Sequence, residues 1–410
     1  MNMKNAIRTG LLALCLLLTA GRGLSSAQTI DREHLSVEAY ARCNDFLNSY
    51  GLRDQLLDSH VSGLVGIAAG LTTRPEDGDW YDWAYNYPTF GIGLSHDFAG
   101  LLRFKPQKLQ PQNIDAYSRL GDIVNLYGWA QFDLIRTRSF RFGPAFELGL
   151  AYSDQTYHYK TNPNNFYIES HVFFGVGAGL HAEWFLTPQW AITAGAYLTH
   201  HSNAMITPHN CGTNELSFSG GARRYLAPVR FTPRSAARPA LPEFPKGLHL
   251  QVAAAAGAIS FSDEQVVNER YRYTDRTAPA RLRAVLSAEL IWRYSRLFAT
   301  GIGAEAGYTD NRYRETDRLL KGVEDDPRNY SPFHVGVYLI QELHYKQLSA
   351  HVICGVYVLK RTGLEDRFQS IVQKAGMRYH FTRASGLFAG MDLRATHRGF
   401  TLEWALGYRF

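Results

Sequence analysis

The feature that most constrains the fold is a strict alternation of apolar and polar residues at the end of the chain. From Phe400 to Phe410 the even positions carry Phe, Leu, Trp, Leu, Tyr and Phe, whereas the odd positions carry Thr, Glu, Ala, Gly and Arg. Because successive side chains of a β-strand point to opposite faces of its sheet, one face of this segment is wholly apolar. The pattern predicts a strand that has lipid on one side and a polar interior on the other.

The same alternation recurs throughout the chain. It is present over residues 140–150, 172–184, 248–258 and 282–292, where Arg, Glu and small residues separate the apolar positions. We therefore expect an all-β fold, a transmembrane antiparallel β-barrel of about 14 strands, an even number as closure requires. The predicted strands lie near 89–98, 120–133, 140–152, 170–185, 189–202, 213–226, 247–261, 280–293, 297–309, 333–345, 347–358, 370–382, 386–395 and 399–410.

A soluble β-sandwich also shows period-two alternation, and three features favour the membrane barrel over it. The predicted strands are mostly 10–14 residues long, whereas strands of globular proteins usually have about 5–6 residues. Aromatic residues collect at strand ends, as Trp184 and Trp190 do around one predicted turn, which is typical of an interfacial girdle. The chain also ends on an aromatic residue within a final strand.

Residues 1–27 predict a secretory signal peptide. Lys4 and Arg8 precede an apolar stretch from Leu11 to Ala20, and Ser25-Ser26-Ala27 is a small-residue cleavage site. No later stretch approaches the ~18 apolar residues that a membrane-spanning helix requires. We therefore expect an exported protein that resides in the outer membrane by its strands, as a multi-pass β-barrel.

The net charge and the spacing of the histidines give no support for nucleic acid or a metal ion as a partner. The formal net charge is +6, and Lys4, Arg8 and Arg22, which contribute to it, lie in the predicted signal peptide. The remaining balance is mild and gives no reason to propose nucleic acid. The histidines are scattered without metal-ligand spacing, so we expect no metal site.

The pattern also divides the chain. Residues 28–60 resemble a short N-terminal segment of helical character, and residues 61–410 form the predicted outer-membrane barrel. Within the barrel, the Pro-rich residues 227–246 form a long linker on the side where connections should be short. Gly63 to Leu71 also has the pattern of a strand, and a fifteenth strand would break the even count.

One hairpin carries candidate chemistry. The apolar face that runs from Ile192 to Leu198 continues into His200 and Ser202, which lie ~6.6 Å apart along a strand. Unpaired polar groups are costly on a face that meets hydrocarbon, unless they lie at the membrane boundary, where polar residues are tolerated. A base beside a serine hydroxyl is the minimum for an activated nucleophile.

The residues around this pair resemble a known family. A His-x-Ser-Asn-Ala segment followed by Asn-x-Gly-x-Asn is similar to the lipid A 3-O-deacylase (PagL-type), or acyloxyacyl hydrolase, family of outer-membrane β-barrels. The likeness is tight within 200–215, extends loosely over a deacylase-like part at about 89–226, and is absent from the additional strands in 247–410. The matching residues are His200, Ser202, Asn203, Ala204, Asn210, Gly212 and Asn214.

The resemblance implies an outer-membrane serine esterase that removes an ester-linked acyl chain from lipid A of lipopolysaccharide without a cofactor. His200 would be the general base and Ser202 the nucleophile. Asn203 would help to hold the oxyanion, together with Asn210 or a backbone N–H near Gly212. Counting strands from the C-terminus places this hairpin on the outside, where the outer leaflet holds lipopolysaccharide. The alternative function is a non-enzymatic channel or a transporter of hydrophobic compounds.

The third catalytic position departs from the family pattern. In the family a Glu on the facing strand orients the His, whereas the matching residue here is Asn214 and Glu215 follows it. Parity favours Asn214, because Leu216 and Phe218 share its face and are apolar. Glu215 would need a β-bulge to reach the same face.

Overall fold

The computed structural model describes residues 34–105, 118–208, 211–229, 238–244, 246–260, 279–310, 331–360, 370–381, 386–396 and 399–410. The predicted signal peptide (1–27) and the candidate residue Asn210 lie outside the described residues. No helix in these described ranges is long and apolar enough to cross a membrane.

The described residues form seventeen strands and two short α-helices, α1 (Leu52–Gln55) and α2 (Trp80–Ala84). The first nine strands are β1 Leu35–Phe46, β2 Val61–Thr72, β3 Thr89–Asp97, β4 Ile123–Gln131, β5 Ile135–Arg136, β6 Phe140–Ser153, β7 Val172–Phe185, β8 Trp190–Ser202 and β9 Thr213–Tyr225. The other eight are β10 Gly247–Ile259, β11 Arg281–Arg293, β12 Phe298–Thr309, β13 Phe333–Tyr345, β14 Leu348–Lys360, β15 Ile371–His380, β16 Leu387–Ala395 and β17 Phe400–Arg409.

Each half of the chain closes an antiparallel barrel of its own. The first barrel has the order β1-β2-β3-β4-β6-β7-β8-β9 and closes where β1 pairs with β9, while the two-residue β5 pairs only with β6. The second barrel runs in chain order from β10 to β17 and closes where these two strands pair. An interior enclosed by eight strands is just wide enough for side chains to fill it.

The prediction of a membrane β-barrel is confirmed, but its strand count is corrected. All fourteen predicted strands are present, and β1 and β2 precede them, so that sixteen long strands form two barrels of eight. Alternation specifies the face of each side chain and not the partner of each strand, so an even total fits one barrel or two. The Pro-rich segment 227–246 connects the two barrels, which explains a long connection at that end.

The expected helical character of residues 28–60 is wrong for residues 35–46, which form β1. The outward face of β1 is small, with Ala39 and Ala41, and its inward face is polar, with Glu38 and Arg42. Alanine is the strongest helix former, and small residues give little contrast between the two faces, which explains the misleading signal. Within the described part of this segment, residues 34–60, only the single turn of α1 is α-helical.

Charged side chains that point inward pair across both barrels. In the first barrel Arg141 contacts Asp133 at 2.6 Å and Glu183 at 3.1 Å, and all three are buried. In the second barrel Arg394 contacts Glu305 and Glu403, each at 2.6 Å. Buried charges are tolerated when they are paired and hydrogen-bonded. Among the described residues, each lumen is therefore crossed by paired side chains.

The two barrels have distinct ends, and they touch at both. At the loop end the connections are long, as in 98–122, 154–171 and 310–332, whereas the turn end has short turns such as 346–347. At the turn end the Tyr345 hydroxyl of the second barrel donates to Asp82 Oδ1 of α2 at 2.5 Å. At the loop end Met205 of the β8–β9 connection contacts the second barrel.

Candidate active site

The candidate base and nucleophile lie at the loop end of β8, on the outward face of the first barrel. They continue the row of side chains that includes Leu198, whose side chain is 58% exposed. Both are partly buried, and the β8–β9 register places His200 directly opposite Asn214. Neither side chain points into the lumen, which agrees with the strand parity expected from the sequence.

A chain of hydrogen bonds fixes the His200 ring. Its Nδ1 lies 2.9 Å from Asn214 Oδ1, and Asn214 Nδ2 donates to Ser49 Oγ at 2.8 Å. Because Ser49 receives the amide N–H, the carbonyl oxygen of Asn214 faces the imidazole, and a carbonyl oxygen can only accept. Nδ1 therefore carries the ring proton, and Nε2 of the neutral ring keeps the lone pair that a general base needs.

The side chains of His200 and Ser202 both lie close to Gly212. Its backbone has φ +70°, and a Cβ atom there would lie 2.9 Å from His200 Cε1 and 3.2 Å from Ser202 Cβ. The same Cβ would meet the His201 carbonyl oxygen at 2.7 Å. A side chain at this position would collide with the end of β8, so glycine is required by space as well as by conformation.

The turn after Ser202 provides a backbone donor to its hydroxyl. The Ala204 N–H lies 3.4 Å from Ser202 Oγ, and Ala204 and Met205 both have positive φ, at 55° and 59°. The Asn203 amide donates to the Thr207 carbonyl at 3.3 Å and also to its hydroxyl. The side chain of Asn203 therefore ties its own turn together.

His201 and Glu215, the sequence neighbours of His200 and Asn214, point into the interior of the barrel. His201 is buried, with Nδ1 at 3.1 Å from Glu215 Oε1 and Nε2 at 3.0 Å from Asn125 Oδ1. No bulge interrupts the β8–β9 register at this point. The structure thus brings Asn214 to His200, and it leaves Glu215 on the opposite face of the sheet.

The connection 154–171 packs against the β8–β9 hairpin. The backbone N–H groups of Cys211 and Gly212 donate to the carbonyls of Phe166 and Tyr167 at 3.0 and 3.1 Å. The Gly212 N–H is therefore occupied. Farther along this connection, burial raises the pKa of the Glu169 carboxyl to about 9, so this group is neutral at pH 7.

Sequence reasoning missed Ser49, the residue that holds the Asn214 amide. Ser49 lies in the segment expected to be helical, three residues after the end of β1. The signal that locates it is the pairing of β1 with β9, in which Phe46 is opposite Glu215. A chain leaving β1 at that point must pass beside Asn214.

Metal ligands are not clustered in this region. In the part of the chain that the structure describes, no group of three or more His, Cys, Asp or Glu side chains is placed to hold a metal ion.

Comparisons with known proteins match both barrels. A family model described as lipid A 3-O-deacylase (PagL) matches residues 69–223, and one described as acyloxyacyl hydrolase, C-terminal domain, matches residues 251–410. The two matches divide at the same linker as the two barrels. No curated protein sequence matches the chain.

Similar solved structures include a surface protein, an outer-membrane enzyme and a transporter. Neisserial surface protein A is 14% identical, with 47% of this chain and 96% of that chain covered and a TM-score of 0.29. The outer membrane enzyme PagL is 12% identical, with 45% and 97% covered and a TM-score of 0.29. The toluene transporter TodX of P. putida is 10% identical, with 92% and 90% covered and a TM-score of 0.18.

The fold and the family matches define an outer-membrane β-barrel enzyme that hydrolyses carboxylic esters. The chain belongs to the lipid A 3-O-deacylase (PagL-type) and acyloxyacyl hydrolase family, whose models together match about three quarters of it. It is an outer-membrane lipid A deacylase, and lipid A is its substrate class.

Proposed function

We propose that Ser202 is the nucleophile of the deacylase, His200 its general base, and Asn214 the residue that orients the base. The observation that carries the proposal is the 2.9 Å contact between His200 Nδ1 and Asn214 Oδ1, with a serine two residues from the histidine on the same lipid-side face. A base oriented by a third group, beside a hydroxyl, is the arrangement of serine hydrolases.

The reaction follows from this arrangement. Ser202 Oγ attacks the carbonyl carbon of the acyl ester while its proton passes to His200 Nε2, which must come within ~3 Å of Oγ when substrate binds. The ester C–O bond then breaks, and the leaving alcohol oxygen takes the proton from His200. Water, deprotonated by the same nitrogen, attacks the acyl-serine and releases the fatty acid.

The oxyanion is held by a backbone donor in this proposal. Among the donors expected from the sequence, the Asn203 amide is engaged with Thr207 and the Gly212 N–H with Tyr167. The Ala204 N–H lies 3.4 Å from Ser202 Oγ and is the donor that we assign to the oxyanion. A fixed N–H aimed at the developing negative charge stabilises the transition state, typically by ~2.7–4 kcal/mol.

The position of the site also fits the substrate. In bacterial barrels the short turns face the periplasm and the long loops face outward, so the loop end lies at the outer leaflet. An ester bond near the membrane surface would be presented to a serine on the outer wall, with the acyl chain beside exposed apolar residues such as Leu198.

Mass spectrometry of lipid A from cells that express the full chain tests the proposal. Wild-type protein should remove one acyl mass from lipid A, and Ser202→Ala and His200→Ala should each leave the spectrum unchanged. Ser219→Ala changes a serine of the neighbouring strand β9 and should behave as the wild type. Identical spectra for wild type and Ser202→Ala would contradict the proposed nucleophile.

A further inference from the structure

The turn that follows Ser202 is held by the second barrel. Met205 is the centre of the contact: its carbonyl accepts from the Ser260 N–H at 2.7 Å and from Ser260 Oγ at 3.0 Å. Its sulfur lies 3.2 Å from the Thr396 hydroxyl, and Ile259 packs against it. Two separate connections of the second barrel, after β10 and between β16 and β17, therefore contact one residue of the first.

This contact acts on an unfavourable backbone. Ala204 and Met205 are consecutive residues with positive φ, a conformation that residues with a side chain adopt rarely and only when their surroundings impose it. The Ala204 N–H in the same turn lies 3.4 Å from Ser202 Oγ. The contacts at Met205 are thus placed to keep this N–H beside the nucleophile.

A second contact reaches the base itself. Phe400, the first residue of β17, has its ring centroid 6.4 Å from that of His200, with the ring planes at 73°. Phe400 is 49% exposed, so part of its ring offers apolar surface beside the imidazole. Leu198 provides exposed apolar surface on the first barrel, two residues before His200.

We propose that the second barrel is a part of the esterase site: it holds the 203–206 turn through Met205, and it provides Phe400 as a contact for the acyl chain that is cleaved. This inference rests on the proposed function. A single eight-stranded barrel presents a convex wall to lipid, whereas two adjoining barrels can form a concave, apolar site of the kind that holds a ligand. Phe400 then affects substrate binding, and Ser260 and Thr396 affect positioning of the nucleophile.

The Phe400 contact is tested by steady-state fatty acid release from lipopolysaccharide by the purified full chain in detergent micelles. Phe400→Ala should raise KM about tenfold with a smaller change in kcat, because an apolar contact with the acyl chain is lost. Phe400→Leu should restore most of the affinity. The matched control is Phe333→Ala, which changes the first residue of β13, 58% exposed and four strands away in the same barrel.

The Met205 contacts are tested by the double variant Ser260→Ala with Thr396→Val. It should lower kcat about tenfold and leave KM nearly unchanged, since it loosens the turn and not the acyl-chain contact. Thr300→Val is the control, because the Thr300 hydroxyl bonds to Gln341 within the second barrel at 2.6 Å. Folding of every variant is checked by its heat-dependent mobility in gel electrophoresis.

The outcomes separate the two proposals. If wild type releases fatty acid and Ser202→Ala does not, the proposed function holds, and the second-barrel variants decide the inference. Equal kinetics for Phe400→Ala and Phe333→Ala, together with an unchanged kcat in the double variant, would overturn it. Full activity of Ser202→Ala would instead contradict the proposed function. If Phe400→Ala does not fold, Phe400→Leu carries the same test through the dependence of KM on acyl-chain length.

Discussion

At the scale of single residues, an amide stands where the family has a carboxylate. In the proposed mechanism Asn214 orients His200 and selects its tautomer, but it brings no negative charge to stabilise the imidazolium that forms when Ser202 loses its proton. The Cys-His-Asn hydrolases use the same substitution, so an amide is compatible with catalysis. We therefore assign Asn214 to the positioning of the base.

Replacing each of the two candidate orienting residues by alanine shows which of them orients His200. Asn214→Ala should lower kcat about 10²-fold, because the base loses the partner that fixes its tautomer. Glu215→Ala should leave kcat nearly unchanged and lower the unfolding temperature, since it removes the buried carboxylate beside His201. Fatty acid release and thermal unfolding in detergent measure the two effects. A larger loss of kcat in folded Glu215→Ala would reverse the assignment.

The space at Gly212 gives a second test at this scale. Gly212→Ala should abolish most of the activity, because its Cβ would lie 2.9 Å from His200 Cε1 on a backbone with φ +70°. Gly220→Ala is the control in the following strand β9, where a Cβ meets nothing within 4 Å. Both variants are assayed for fatty acid release. Comparable activities in the two variants would show that His200 does not need the close approach to this glycine.

The partly buried Glu169 makes stability depend on pH. Its pKa is raised from the ordinary value of 4.5 to about 9 in the folded chain, so between these values the unfolded chain loses the proton that the folded chain keeps. Stability is therefore lost as pH rises through this window. Glu169→Gln should raise the unfolding temperature at pH 8 and leave it unchanged at pH 4. An equal shift at both pH values would contradict a neutral Glu169.

At the scale of strands, alternation was informative wherever the outward face carries large apolar residues. The outward face of β17 has Phe400, Leu402 and Trp404, and its bounds were predicted to within a residue. β1 was missed because its outward residues are mainly small, as Ala39 and Ala41 are. Because β1 was not predicted, Ser49 was not predicted either: its position beside Asn214 follows from the pairing of β1 with β9.

At the turn end, β13 of the second barrel contacts the connection that contains α2 in the first barrel. The Tyr345 ring packs edge-on against Tyr85 of the first barrel at 5.5 Å, and its hydroxyl donates to the buried Asp82. Tyr345→Ala should lower stability by about 2 kcal/mol or more, since ring contacts and a buried hydrogen bond are lost together. Tyr408→Ala, at a site 40% exposed whose ring packs against Phe410 of the same barrel, should change it little. Heat-dependent gel mobility measures both, and equal midpoints would argue against a stabilising contact.

At the scale of the whole molecule, one chain forms two closed barrels that share a candidate site at their junction. The sequence predicted the faces of His200 and Ser202, because parity along one strand is local information. It did not predict that Phe400 approaches His200. The two residues are 200 positions apart, and the alternation of apolar and polar residues does not specify which strands lie next to each other. Two sequence features did not fit a single barrel of fourteen strands: the Pro-rich linker 227–246 and the strand pattern from Gly63 to Leu71, which lies within β2.

The central claim is that Ser202, on the outer wall of the first barrel, is a nucleophile. Covalent labelling tests it most directly. An alkyl fluorophosphonate should form an Oγ–P bond with an activated serine, with loss of fluoride, and peptide mass spectrometry locates the bond. We predict a single label on Ser202 that is absent in Ser202→Ala and strongly reduced in His200→Ala. A protein that deacylates lipid A yet carries the label on another serine, or none on Ser202, would contradict the account.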